Sequence, residues 1–213
     1  MKKYLLAVLA AFLLMAPLQG VLVQAQEAVP AQESAVEAQE GYRPGDSPAQ
    51  SGAAESMTPA IHAVVLAMLH YDAAVFDGAQ TEMSWEALYN MLSLYGQMDE
   101  RSDYIGENLV LPAETVMDFA VAVMPEISGL DGLPETLSDR MVYDPEIDSY
   151  LVTCGSDSLA QIQVEGQSYQ DGALHLSGSL VYLVDGSRLT GFRAVLTPRD
   201  NMFGYTLTRL ELV

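Results

Sequence analysis

Residues 160–196 read AQIQVEGQSYQDGALHLSGSLVYLVDGSRLTGFRAVL, and this stretch decides the fold. Asp171-Gly172 and Asp185-Gly186 each stand between runs of strand-forming residues. Type I′ hairpin turns favour Asp-Gly because both central residues need a positive φ. The stretch therefore predicts antiparallel strands joined by two tight hairpins.

Alternation of apolar and polar residues supports these strands. In residues 160–165 the side chains alternate with a period of two, as expected when one face of a sheet is buried. Gly178 lies among the apolar positions of the next run, so we expect a bend or a close crossing by another element there. In the last run the alternation slips between Leu207 and Leu210, which indicates a β-bulge.

Two shorter strands are predicted upstream, at residues 139–143 and 149–154, joined by a turn around Pro145. Together with the later runs they give about six strands within residues 139–213, a typical sheet size. We interpret the whole region as one antiparallel meander.

Three amphipathic helices are predicted ahead of the sheet. Their expected positions are residues 58–77, 84–95 and 112–124. Thr58 suits the N-cap of the first helix and Pro59 its first helical position. Residues 108–111 are predicted as a short edge strand between the second helix and the third.

The predicted fold class is α+β, with three N-terminal helices packed on one face of a roughly six-stranded antiparallel meander. Residues 57–213 form this single domain, with helices in 57–125 and the sheet in 139–213. Residues 26–56 are rich in Ala, Gln, Glu, Ser and Pro, and they are predicted to be a disordered linker.

The N-terminus has the pattern of a signal peptide over residues 1–25. Lys2 and Lys3 precede an apolar run, and small residues occupy a cleavage site at 23–25. Cleavage there would release a secreted chain that no longer inserts into a membrane. The alternative is an uncleaved membrane anchor, since residues 4–23 are about long enough to span a bilayer.

The chain is strongly acidic, with 9 lysines and arginines against 29 aspartates and glutamates. Both lysines lie in the predicted leader, so the mature chain keeps seven arginines and a formal charge of −22. Such a surface repels phosphate backbones and anionic lipid headgroups. We therefore expect no nucleic-acid partner, and any charged partner should be cationic.

Cys154 is the only cysteine, so no intramolecular disulfide can form, and we interpret it as a small buried residue on a strand. Cys154 and His175 are the one thiol and imidazole pair to consider for nucleophilic catalysis. The first hairpin predicts that His175 faces Ser168, and a turn at residues 155–158 predicts that Cys154 faces Leu159. On that register the two groups are about 30 Å apart and cannot act together.

No metal site is predicted. His62 and His70 do not have the i, i+4 spacing with which two imidazoles share a metal, and we interpret them as partly exposed. Asp144, Glu146 and Asp148 form the densest acidic cluster, but it lacks the glycine and the terminal glutamate of an EF-hand loop. The sequence predicts no catalytic or cofactor-binding residue, and no cofactor.

Aromatic residues are the remaining candidates for a binding surface. Trp85, the only tryptophan, falls on the apolar face of the second helix and is predicted to pack in the core. The 11 tyrosines suit surfaces that are half apolar and half wet. Those in the predicted sheet are Tyr143, Tyr150, Tyr169, Tyr182 and Tyr205.

Five features of the sequence together resemble uncharacterised secreted proteins of Gram-positive gut bacteria. They are the leader, the Ala/Gln/Glu-rich segment, residues 85–89 (WEALY), the helix at Pro112 and the segment from Tyr143 to Tyr150. Helices followed by a curved antiparallel sheet also look like the cystatin-like and NTF2-like superfolds. Those folds carry binding modules and enzymes alike, so the resemblance does not select a function.

Three functional hypotheses follow. The first is a secreted, non-enzymatic binding or interaction module that uses the exposed sheet face or a pocket between helices and sheet, with a protein or small-molecule ligand. The second is a cavity enzyme of NTF2-like type, which requires a carboxylate general base buried in a tyrosine-lined pocket. The third is an acidic inhibitor or immunity-type protein, whose binding to a basic partner should weaken with salt.

Overall fold

The computed structural model describes residues 48–155 and 159–213, which belong to one compact unit, Arg43–Val213. The predicted signal peptide and most of the predicted linker lie outside the described residues. The described part is an α+β fold with three helices and two antiparallel sheets. The helices are α1 (Pro48–His70), α2 (Glu82–Tyr95) and α3 (Ala113–Val123).

The strands form a five-stranded and a four-stranded sheet. They are β1 (Val75–Phe76), β2 (Asp103–Ile105), β3 (Asn108–Pro112), β4 (Met141–Asp144), β5 (Ser149–Thr153), β6 (Ala160–Gln170), β7 (Ala173–Tyr182), β8 (Arg188–Pro198) and β9 (Tyr205–Leu212). The order is β1-β9-β8-β7-β6 in the first sheet and β2-β3-β5-β4 in the second.

The prediction of one six-stranded meander is therefore wrong. The hairpin of β4 and β5 forms as predicted, but the other side of β5 pairs with β3 along the whole strand. Because both sides of β5 are occupied, it cannot also pair with β6. The strand at residues 108–111 is confirmed, although β3 lies inside the second sheet and not at its edge.

The first predicted hairpin is confirmed. Asp171 and Gly172 both have a positive φ, 50° and 80°, and Gln170 faces Ala173. His175 faces Ser168 as predicted.

The second predicted hairpin turn differs from the prediction. The amide of Tyr182 donates to the carbonyl of Ser187 at 2.8 Å, so four residues, not two, form the loop between β7 and β8. Gly186 has a φ of 73°, whereas Asp185 keeps a negative φ and does not form a type I′ turn. The amide of Gly186 donates instead to the carbonyl of Tyr182 at 2.8 Å, which closes the wider loop.

Three register shifts modify the five-stranded sheet, and one of them leaves Leu189 of β8 as an extra residue opposite β7. The predicted bulge in the last strand is confirmed, because the β8–β9 register shifts and leaves Thr208 as the extra residue. A second bulge lies in β6, where Val164 faces Gly178 but Gly166 faces Ser177, so that Glu165 is the extra residue.

Gly178 marks a close approach, as expected. A Cβ at this position would collide with the carbonyl oxygen of Gln163 and would lie 2.7 Å from the ring of Phe192. Phe192 is 1% exposed, so the missing side chain makes room for an aromatic ring in the core.

Helix α1 begins at Pro48 and not at the predicted Thr58, so residues 48–56 of the predicted linker are helical. Pro59 lies inside the helix, where it lacks a backbone donor. The hydroxyl of Thr58 donates to the carbonyl of Ala54 at 3.0 Å, within the preceding turn, and does not act as an N-cap.

Burial explains why α1 extends so far. Residues 52–70 are long and apolar enough to cross a membrane by length and composition, but 61% of that window is buried inside the fold. Met57, Ile61 and Met68 have no exposed surface. Buried residues of all three helices and of both sheets join one hydrophobic cluster, which accounts for the apolar composition of α1.

Asp72 ends α1 in a left-handed conformation with a φ of 50°. The amide of Ala73 donates to the carbonyl of Met68 at 2.8 Å, the bond that characterises a Schellman motif. Asp72 is exposed where the chain leaves the helix. The helix thus ends at His70 and not at the predicted residue 77, because Val75 and Phe76 pair with β9 as strand β1.

Replacing Asp72 with glycine is expected to raise the unfolding free energy by about 0.5–1 kcal/mol, because glycine adopts a positive φ without a Cβ penalty. Asp72→Ala is the control and should destabilise the fold, since it keeps the Cβ and loses the tolerance of aspartate for this conformation. Urea unfolding of the three chains measures the difference. Equal midpoints for Asp72→Gly and Asp72→Ala would contradict the assignment of strain to this residue.

The second and third helices agree closely with their predictions. Thr81 caps α2, since its hydroxyl accepts a hydrogen bond from the amide of Ser84 at 3.4 Å. Trp85 is 3% exposed, which confirms that it packs in the core. Pro112 immediately precedes α3, and Pro125 follows its end.

An ion pair joins α2 to the segment before β4. The guanidinium of Arg140 donates two hydrogen bonds to the carboxylate of Glu86, at 2.8 and 2.6 Å, and the Glu86 side chain is only 8% exposed. The Arg140 guanidinium also lies 4.5 Å from the ring centroid of Tyr89, a cation–π contact. The hydrogen bonds to Glu86 raise the pKa of Arg140, so its guanidinium stays charged.

Candidate binding groove

An open groove of about 510 Å³ lies where α1, the end of α2, α3 and the turn between β8 and β9 meet. We call it the helix groove. Its lining residues are Pro59, Tyr95, Met98, Asp99, Glu100, Arg101, Phe119, Met202 and Phe203. This volume falls within the range of small-molecule and side-chain binding sites.

Apolar side chains form the walls of the helix groove. Phe119 of α3 and Phe203 of the β8–β9 turn meet edge to face, with ring centroids 5.4 Å apart. Met98 and Met202 stand at the rim and are 75% and 51% exposed. Two flexible thioether side chains therefore border a rigid aromatic wall.

The β8–β9 turn is held in place by hydrogen bonds. The side chain of Asn201 accepts from the amide of Phe203 and donates to the carbonyl of Tyr205, both at 3.0 Å. Ser56 of α1 donates to the carbonyl of Phe203 at 2.9 Å. Gly204 has a φ of 73° and completes the turn. The wall that carries Phe203 is thus fixed both locally and to α1.

Tyr95 connects the groove to a buried histidine. Its hydroxyl oxygen lies 2.6 Å from Nδ1 of His62, and the two rings meet edge to face. His62 is 3% exposed, so the prediction of a partly exposed side chain is wrong here, because the helix turns this face toward α2. Burial lowers the pKa of His62 to about 4, so its imidazole is neutral at pH 7.

A closed cluster of charges borders the polar end. Arg101 donates to both carboxylate oxygens of Asp99 and to Asp118, each at 2.9 Å. These hydrogen bonds lower the pKa of Asp99 and raise that of Arg101. The Asp99 side chain is 8% exposed and also accepts from the backbone amide of Arg101, so the cluster fixes the loop after α2.

Glu100 differs from its neighbours in this loop. It is exposed and lines the helix groove. Within residues 48–155 and 159–213, its carboxylate forms no hydrogen bond or ion pair. The groove therefore has apolar walls and one unengaged negative charge at its polar end.

Cys154 and His175 are not brought together. Cys154 follows β5 of the four-stranded sheet, whereas His175 belongs to β7 of the five-stranded sheet. The predicted pairing of Cys154 with Leu159 is wrong, since β5 pairs with β3 and β4. Burial raises the pKa of the Cys154 thiol, the direction opposite to that of an activated nucleophile.

Two of the three carboxylates in the acidic cluster of the β4–β5 turn have local hydrogen-bond partners. Tyr143 donates to Asp148 at 2.8 Å, and the side chain of Asp144 accepts from the amide of Glu146 at 2.9 Å. His70 is exposed at the end of α1. Across the described ranges, no group of three or more His, Cys, Asp and Glu residues is arranged to hold a metal ion.

Two of the sheet tyrosines meet beside a second cleft. The rings of Tyr143 and Tyr150 lie 5.1 Å apart, and both line this cleft together with Asp131. Asp131 is exposed, so it lacks the burial that the cavity-enzyme hypothesis requires of its base. The Asp99 side chain is only 8% exposed, but its hydrogen bonds to Arg101 lower its pKa and make it a weak base.

No family model matches the chain, and neither a curated protein nor a solved structure matches it. The resemblances drawn from the sequence therefore remain predictions. The helix groove itself is the feature from which function can be inferred.

Proposed function

We propose that the chain is a secreted, non-enzymatic binding module that holds an apolar ligand group in the helix groove. We assume here that the three helices pack on one face of the five-stranded sheet and that residues 1–25 are a signal peptide. The observation that carries it is the pair of exposed methionines, Met98 and Met202, beside the Phe119 and Phe203 rings.

Exposed methionines at a groove favour binding over core packing. Methionine is common on binding surfaces because its unbranched side chain adapts to differently shaped partners. Both side chains leave more than half of their surface in water, and burial under a ligand would remove that apolar area from solvent. The aromatic wall behind them is already ordered, so binding costs little further conformational entropy there.

The proposed function is tested with N-phenyl-1-naphthylamine, a neutral dye that fluoresces in apolar surroundings. We expect the wild-type chain to bind it and the double variant Met98→Asp/Met202→Asp to bind it at least tenfold more weakly, because two charges would have to be buried beneath the dye. Fluorescence titration measures both dissociation constants.

Val184→Asp is the matched control for this test. Val184 is 70% exposed on the β7–β8 loop, outside the groove, and this variant should bind the dye as the wild type does. Thermal unfolding of each chain checks that the groove variants remain folded. Equal dye affinity of the double variant and the wild type would overturn the proposed function.

A further inference from the structure

We propose that the natural occupant of the helix groove is a peptide segment of a partner protein that presents an apolar side chain next to a lysine or an arginine. This inference rests on the proposed function, because it assumes that the groove binds an apolar group. Beyond that function, it specifies that the ligand is a peptide and that it carries a positive charge.

The charges around the groove favour a cation. Among the described residues that line the groove, Arg101 is the one basic group, and its donors are already directed to Asp99 and Asp118. Recognition of an anion by Arg101 would have to break these bonds and leave the mostly buried Asp99 uncompensated. An anionic ligand is therefore disfavoured at the polar end of the groove.

Glu100 supplies the complementary partner for a cation. Its carboxylate lines the groove and is unengaged within the described part of the chain. The other nearby charges, Asp99, Arg101 and Asp118, sum to one negative charge, so Glu100 brings the local charge to −2. The formal charge of the whole chain has the same sign and adds to the attraction of a basic segment.

The shape of the groove favours a peptide over a compact small molecule. The site is an open groove, and its adaptable rim residues, Met98 and Met202, belong to segments far apart in the sequence. A side chain can lie against the Phe119 and Phe203 rings while the adjoining residue of the same peptide reaches Glu100. Apolar contact and charge contact then come from neighbouring positions of one ligand.

The test is displacement of N-phenyl-1-naphthylamine by three matched peptides, acetyl-Phe-Leu-Lys-amide and the versions with Gln or Glu in place of Lys. We expect the Lys peptide to displace the dye at about fivefold lower concentration than the Gln peptide, the upper end of the gain from an exposed charge pair. The Glu peptide should be the weakest. The preference should shrink toward unity in 1 M NaCl, because salt screens exposed charges.

Glu100→Gln and Glu146→Gln form a matched pair of variants. Each removes one negative charge, but Glu146 lies on the β4–β5 turn and outside the groove. The Gln peptide should need about five times the concentration of the Lys peptide for half-displacement of the dye from the Glu146→Gln variant. For the Glu100→Gln variant this ratio of concentrations should be close to one. The same ratio in both variants would overturn the role of Glu100.

The outcomes separate this inference from the proposed function. Failure of the wild type to bind the dye overturns both. If the wild type binds the dye but all three peptides displace it equally, or none of them displaces it, the cationic-peptide inference is overturned. The proposed function of the apolar groove then still stands. 2-Phenylethylamine tests the ligand class, since displacement at the same concentration as the Lys peptide would assign the groove to small amines.

Discussion

Between pH 7 and pH 4, the unfolding free energy of the wild-type chain is expected to fall by about 3 kcal/mol more than that of a His62→Gln variant. The pKa of His62 is about 4 in the fold, against 6.5 for an unperturbed histidine. Between these values the unfolded chain binds a proton that the folded chain does not, so acid favours unfolding. Each pKa unit corresponds to about 1.4 kcal/mol.

The comparison with His62→Gln isolates this contribution from the many carboxylates that titrate in the same range. Glutamine can still hydrogen bond to Tyr95, but it does not ionise. Urea unfolding at half-unit steps of pH gives both profiles, and NMR titration of the His62 imidazole follows the protonation directly. Parallel profiles, or an imidazole that titrates near pH 6.5, would show that burial does not keep His62 neutral.

Replacing Arg140 with alanine is expected to destabilise the fold by about 2–3 kcal/mol. The substitution leaves the carboxylate of Glu86, whose side chain is 8% exposed, without its two charged hydrogen bonds. Fully buried pairs lose about 3–5 kcal/mol when one partner is removed. The smaller figure applies here because the Arg140 side chain is 37% exposed and water can reach this end of the pair.

A double-mutant cycle tests the origin of that loss. Glu86→Gln removes the buried charge, so Arg140→Ala in that background should cost well under half as much, the remainder reflecting the contact with Tyr89. Arg209→Ala is a matched control, since its ion pair with Glu211 lies on the sheet surface and should contribute less than about 1 kcal/mol. Additive losses at Glu86 and Arg140 would argue against the pairing as the cause.

Local patterns in the sequence predicted local structure well. Asp171-Gly172 specifies its turn because the required backbone conformation is available to those two residues themselves, and the slip before Leu210 marks the bulge at Thr208. Asp185-Gly186 is the same pair of residue types, yet a four-residue loop forms there. The amide of Tyr182 bonds to the carbonyl of Ser187, and the amide of Gly186 bonds to the carbonyl of Tyr182.

Long-range pairing explains the larger failures. Nothing in the alternation of β5 distinguishes β3 from β6 as its neighbour, so the division into two sheets could not be seen in the sequence. The extension of α1 to Pro48 depends on alanines such as Ala53 and Ala54 being buried by distant segments. A disordered linker and a buried, alanine-rich turn of helix can have the same local composition. Neighbouring residues alone therefore do not distinguish them.

The helix groove was likewise beyond sequence reasoning. Its walls come from residues as distant as Pro59 and Phe203, and a methionine beside a turn, such as Met98, carries no signal of its own. The one indication available was the surplus of acidic residues, which predicted a cationic partner in general terms. Assigning that preference to Glu100 required the contacts that engage Arg101.

The bulge at Glu165 has a consequence for how copies of this chain meet one another. β6 is eleven residues long and stands at the edge of the five-stranded sheet, where an unbroken strand would be a template for adding a strand from a second molecule. Glu165 interrupts the regular spacing of backbone donors and acceptors midway. The edge is thereby divided into two short lengths, each a poor seed for the growth of fibrils.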